Sequence, residues 1–130
     1  MCNTLHRNND YQKIPRTGTA WKICIPINKD ICATRGSTPF NRTGPNIWSH
    51  ELGYTTHKSP VDKRFTGFCG FLTHEEAQSA VDDYTVHCNP QNPEKVYKVH
   101  YTGGIGSCMS TELDGSARRF VFFKNFTFAD

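Results

Sequence analysis

Gly67-Phe68-Cys69-Gly70-Phe71-Leu72-Thr73-His74-Glu75-Glu76-Ala77 is the stretch on which the fold turns. Its first five residues are apolar and interrupted by glycine, as in a strand that another backbone approaches closely or where φ becomes positive. Cys69 lies between two Gly and two Phe and reads as buried packing. The next four residues form a capping box. The Thr73 hydroxyl accepts from the Glu76 amide, and the Glu76 carboxylate reaches back to the Thr73 amide. Glu75 and Glu76 also place negative charge in the first turn, where the helix dipole favours it. Ala77, Ala80, Val81 and Tyr84 follow at helical spacing, predicting a helix over about Thr73–Tyr84. Asn89-Pro90 and Asn92-Pro93 stop any continuation.

Upstream, Trp21, Ile23, Ile25 and Ile27 alternate with Lys22, Cys24 and Pro26, the period of a half-buried strand. Pro26 cannot donate to a ladder, so an edge strand or an unpaired end is expected. Asn28-Lys29-Asp30 is a turn signal, and Ile31-Cys32-Ala33-Thr34 is placed to return as a short antiparallel partner. Downstream, Tyr97, Val99 and Tyr101 face one way, with Val96, Lys98 and His100 opposite. Gly103-Gly104-Ile105-Gly106 predicts a turn or bulge, and Asp114-Gly115 is a hairpin signal. Phe120, Phe122, Phe126 and Phe128 share one parity around Lys124, which marks a bulge or snorkels.

Strands, one helix and further strands without regular β-α alternation predict an α+β domain. Its expected form is a small, mainly antiparallel sheet, one main helix and a long irregular loop over Arg35–Thr66. That segment holds Gly36, Pro39, Gly44, Pro45, Gly53 and Pro60 and has no long periodic element. A loop of such length in a small domain is commonly functional or mobile. Residues 1–18 are polar and predict a flexible leader, leaving 19–130 as the domain. A chain of 130 residues has room for one core, and nine Phe, five Tyr and two Trp supply the bulk to fill it.

The formal charge of +3 is short of the dense basic stripe that marks a nucleic-acid binder by itself. No apolar h-region opens the chain and no run approaches a membrane span, so a cytoplasmic protein with no membrane partner is expected. There the six cysteines, at positions 2, 24, 32, 69, 88 and 108, would be free thiols. They form no Cys-x-x-Cys pair, and His50 with His57 matches no zinc-finger spacing, so neither metal nor cofactor is expected. Cys2 would become an N-terminal nucleophile were Met1 removed. Glutamine amidotransferases and abasic-site crosslinking proteins begin similarly, but follow the Cys with Gly where this chain has Asn3, and a frayed terminus is the simpler reading.

The long loop carries the candidate site. Arg35, Arg42, Lys58, Lys63 and Arg64 are interleaved with Phe40, Trp48, Tyr54 and Phe65. Such a loop can clamp phosphates and stack a base, or be an ordinary solvated surface. The ligand-binding candidates are Arg35, Arg42, Trp48, His50, Tyr54, His57 and Arg64. No catalytic set is evident.

The order of features is similar to that of a loosely defined group of small, mostly uncharacterised phage and bacterial proteins. It runs from Trp21-Lys22-Ile23-Cys24 through the aromatic loop to the Gly67–Ala77 junction. Val96-Tyr97-Lys98-Val99-His100-Tyr101-Thr102-Gly103 and Arg119-Phe120-Val121-Phe122-Phe123-Lys124 complete it. The resemblance implies a phage or mobile-element origin and supplies no chemistry. The junction also resembles the strand-helix step of ADP-ribosyltransferase-like folds, which implies a nicotinamide-stacking Tyr and a catalytic Glu, with Glu94 and Glu112 as acidic candidates. The expectation is a non-enzymatic binding protein, such as a phage-encoded inhibitor or counter-defence factor in the host cytoplasm. It would capture a nucleotide-like ligand or a host protein, and a homo-oligomer is among the expected partners. An NAD-using ADP-ribosyltransferase-like enzyme and an RNA or single-stranded DNA binding protein are the alternatives.

Overall fold

The structure, a computed structural model, describes residues 6–8, 12–33, 39–48, 53–56, 63–85, 94–111 and 117–129. In chain order the elements are β1 (His6–Asn8), β2 (Thr17–Pro26), β3 (Ile31–Ala33), β4 (Pro39–Asn41) and β5 (Asn46–Ile47). Then come β6 (Gly53–Thr56), β7 (Lys63–Thr66), β8 (Phe68–Gly70), α1 (His74–Thr85), β9 (Lys95–Thr111) and β10 (Ala117–Phe128). All strand pairs are antiparallel.

The main sheet runs β4-β3-β2-β9-β10-β5, with β8 also on β10. It curls until its ends meet twice. Trp21 and Phe71 exchange backbone hydrogen bonds of 2.9 and 2.8 Å, joining the β8 end to β2. At the other end, the Asn46 side chain accepts from the Asn41 amide and donates to the Asn41 carbonyl, at 2.8 and 2.9 Å, tying β5 to β4. The result is a nearly closed barrel with α1 outside it, so the α+β expectation is corrected towards all-β. A second sheet, β1-β7-β6, stands apart in the pairing.

Among the described residues the core forms two clusters. Inside the barrel lie Ala20, Cys24, Cys32, Phe40, Trp48, Phe68, Tyr97, Val99, Tyr101, Val121, Phe123, Phe126 and Phe128. Between barrel and helix lie Ile23, Cys69, Phe71, Ala77, Ala80, Val81, Cys108, Phe120 and Phe122. β2 therefore buries both faces, because the barrel covers one and α1 the other. Lys22 and Cys24, read as the outward parity, are buried, whereas Ile27 is 60% exposed. Nor is β2 an edge: β3 and β9 flank it, and Pro26 is its last residue, opposite Cys32.

The junction behaves as its residues require. Gly67 has φ 143°, in the region that favours glycine. A Cβ on Gly70 would stand 2.9 Å from the Trp21 carbonyl oxygen, so only glycine allows the closing contact. Thr73 caps α1, its Oγ1 accepting from the Glu76 amide at 3.1 Å. The Glu76 carboxylate turns to the Thr73 hydroxyl, at 3.1 Å, rather than to the Thr73 amide. Tyr97, Val99 and Tyr101 are buried, with Lys98 and His100 exposed opposite them.

Three other expectations change. The segment Arg35–Thr66 is not one irregular loop, since β4 to β7 lie in it as strands of two to four residues, too short to show a period. Nor is 1–18 wholly a leader. His6–Asn8 pairs with β7, Gln12 and Ser107 exchange backbone bonds of 2.9 Å, and β2 begins at Thr17. Finally, the four like-parity Phe residues split between the two clusters, Phe120 and Phe122 under the helix and Phe126 and Phe128 inside the barrel. The expected bulge is found: Phe122 pairs with Gly106 but Phe123 with Gly104, and Lys124 beyond it is exposed.

Tyr101 ties this ladder to the segment before β2. Its hydroxyl donates to the Pro15 carbonyl at 3.1 Å, and a Cβ on Gly18 would stand 2.8 Å from that hydroxyl. Burial holds the phenol above its usual value of 10.0. The folded chain thus keeps this proton more tightly than the unfolded chain. The associated stability is complete below about pH 10, the unfolded value, and is lost as pH rises through the higher folded value. Melting followed by circular dichroism should show a midpoint that falls above about pH 10, and Tyr101→Phe should make that alkaline fall shallower.

Candidate functional site

The outer face of the barrel is covered by α1 over one part and open over another. Strand register places two rows on the open part. Ile47, Asn125, Thr102 and Thr17 stand side by side across β5, β10, β9 and β2. Thr127, His100 and Thr19 form the next row, and Pro45, one residue before β5, lies beyond its end. Pro45, Ile47, His100, Thr102, Asn125 and Thr127, together with Phe126, line a groove of ≈ 320 Å³.

Each lining residue is set by alternation: the barrel takes Tyr101 and Phe126 inwards, which turns His100, Thr102, Asn125 and Thr127 outwards. Ile47 is 64% exposed and, with Pro45, gives the groove an apolar wall at the β5 edge. The floor is polar. Asn125 Nδ2 donates to Thr102 Oγ1 at 3.3 Å, while Asn125 Oδ1 is buried and has no hydrogen-bond partner among the described residues. A buried amide oxygen left without a donor is uncommon, because its lost hydration goes uncompensated.

A second polar feature lies inside the barrel. Lys22 is 2% exposed and its Nζ donates to the Cys69 carbonyl at 2.7 Å. The rings of Phe40, Phe126, Phe123 and Phe68 surround it, with centroids 5.0, 5.2, 5.8 and 6.0 Å away. Ring faces carry negative partial charge and favour an ammonium there. Nothing in the sequence singled out Lys22, which alternates with isoleucines as a solvent-facing residue would.

Of the seven candidates from the sequence, Arg42 and Trp48 are the two whose side chains lie among the described residues. Arg42 closes one end of the barrel, its guanidinium 4.7 Å from the Tyr97 ring centroid and 5.7 Å from that of Phe128. Its amide donates to the Asp30 carbonyl at 2.8 Å. Trp48 is core, 5.2 Å edge-on from Phe68, so it is packed rather than offered to a ligand. Tyr54 and Arg64 stand on adjacent strands of the second sheet, and their side chains lie outside the described residues, as do Arg35, His50 and His57 altogether. Glu94 precedes β9 and Glu112 is outside the described residues.

Cys24, Cys32, Cys69 and Cys108 are buried. Among the described residues no group of three His, Cys, Asp or Glu is placed to hold a metal ion, and no helix is long and apolar enough to cross a membrane. No family model, no curated protein and no solved structure matches this chain.

Proposed function

We propose that this chain is a non-enzymatic capture protein that holds a nucleotide-like small molecule in the β5–β9–β10 groove. The observation that carries the reading is the buried, unpartnered Asn125 Oδ1 in the floor of a groove with an apolar wall. Because Nδ2 is engaged by Thr102, the amide offers an acceptor, and it favours a ligand that brings an N–H. A heterocycle lying on Pro45 and Ile47 would supply that donor as the half-buried Asn125 turns towards it. The Thr102 and Thr127 hydroxyls and the His100 imidazole remain for sugar or phosphate oxygens. This shape and polarity are those of a small-molecule site, apolar in the main with a few placed polar groups.

The test is calorimetric titration with adenosine, uridine and their 5′-monophosphates. Binding of at least one, weakened roughly ten- to a hundred-fold by Asn125→Leu, is expected, since an unmet donor or acceptor costs about 1–3 kcal/mol. Arg118→Ala, on the helix side where Arg118 meets Ser79, should leave binding unchanged. Heats absent for all four ligands, or a loss equal in both variants, would overturn the reading.

A further inference from the structure

The walls of the barrel are joined very unequally. β2 and β9 are laddered from Thr17 opposite Thr102 to Cys24 opposite Lys95, and β9 with β10 over nearly the whole length of β10. At the seam between β8 and β2, among the described residues, the only backbone link is the Trp21–Phe71 bridge. A side chain crosses the same seam from within: Lys22 on β2 reaches the Cys69 carbonyl on β8 at 2.7 Å. We propose that β8 and α1 form a hinged wall of the barrel, latched shut from the inside by Lys22.

Three features make this wall the part that opens. Among the described residues, its outer element turns only Ala77, Ala80 and Val81 into the cluster, small side chains that bury little apolar area, and meets β2 through one edge-on ring contact, His74 on Trp21 at 5.0 Å. Its attachment on the far side is firmer, since Phe68, Cys69 and Gly70 pair with Phe123, Phe122 and Val121 of β10. Gly67, with φ 143°, stands immediately before β8 and supplies a backbone free to turn. Segments with few apolar contacts and few backbone bonds to the rest open below the global unfolding free energy. Swinging on the β10 side, the wall would bring Lys22 Nζ and its ring of Phe side chains to solvent. It would also uncover Cys108, which lies on β9 in the cluster beneath α1, and leave Cys32 of β3 inside the barrel.

Hydrogen exchange read amide by amide on the whole chain tests this. The amide of Phe71, whose bond to Trp21 parts when the wall swings while β8 stays on β10, should exchange at least tenfold faster than those of 97–101 and 119–123. Lys22→Met should raise the exchange of the Phe71 amide at least tenfold more than it raises that of the β9 and β10 amides. Equal rates in the unaltered protein, or an equal rise everywhere in the variant, would overturn the proposal. Should Lys22→Met not fold, pulse alkylation of the unaltered protein decides: Cys108 reacting at least tenfold faster than Cys32 supports the wall, and equal rates overturn it.

Discussion

Lys22→Glu is expected to leave no folded protein, while Lys22→Met remains folded with a stability within about 2 kcal/mol of the parent. Four Phe centroids lie within 6.0 Å of Lys22 Nζ, and their negative faces would repel a carboxylate. The Cys69 carbonyl, now an acceptor for the ammonium, could give an anion nothing. An unpaired buried charge costs several kcal/mol, a large part of the roughly 5–15 kcal/mol by which domains are stable. Met keeps the length of the stem. It abandons the bond to the Cys69 carbonyl, at about 1–3 kcal/mol, and also removes the cost of desolvating an ammonium. These two terms oppose one another. Urea denaturation checks both variants: the midpoint for Met should move little with an unchanged slope, and Glu should show no cooperative transition. A Glu variant that melts like the parent would mean that Lys22 does not remain enclosed by these rings.

How far the sequence carried depended on whether a neighbour in space altered what the neighbours in sequence said. The Thr73 side of the cap, the Asn28–Asp30 turn and the alternation of Tyr97, Val99 and Tyr101 are local, and all are found. Asn28 Oδ1 takes the Asp30 and Ile31 amides at 2.8 and 2.9 Å, the bonds that such a turn makes. The reading of β2 failed because alternation assumes one wet face, and here barrel and helix cover both. Lys22 could not be recognised, since a lysine between isoleucines is how an exposed position looks. The groove was illegible for a related reason. His100, Thr102, Asn125 and Thr127 are ordinary outward residues of two strands, and they meet Pro45 and Ile47 only because β5 joins the edge of β10. The aromatic-basic pattern of the long loop drew attention instead, but Trp48 was serving the core and Arg42 the end of the barrel.

The split of the Phe residues leads to the second large effect, at Gly103. Along β10, Val121 and Phe123 point into the barrel, and so do Phe126 and Phe128, although strict alternation would turn the latter pair outwards. The exchange of faces happens at Lys124, opposite the point where β9 passes through Gly103 at φ 65°. A Cβ on Gly103 would stand 2.6 Å from the Lys124 Cβ. Gly103→Val therefore meets two penalties. The left-handed backbone costs an L-residue about 1–2 kcal/mol, more when it is β-branched, and forced overpacking adds about 1–3 kcal/mol. A loss of about 3–5 kcal/mol, enough to unfold a marginal domain, is expected from chemical denaturation. Gly103→Ala should fall between the parent and Val, and pairing it with Lys124→Gly separates the causes. The double change relieves the crowding but not the backbone strain, so it should recover only part of the loss. Were Gly103→Val as stable as the parent, β9 would not need its left-handed residue. The same alternation that sends Phe126 and Phe128 inwards sends Asn125 and Thr127 out, so the glycine that lets the barrel fill its core also sets the groove on the other side of the sheet.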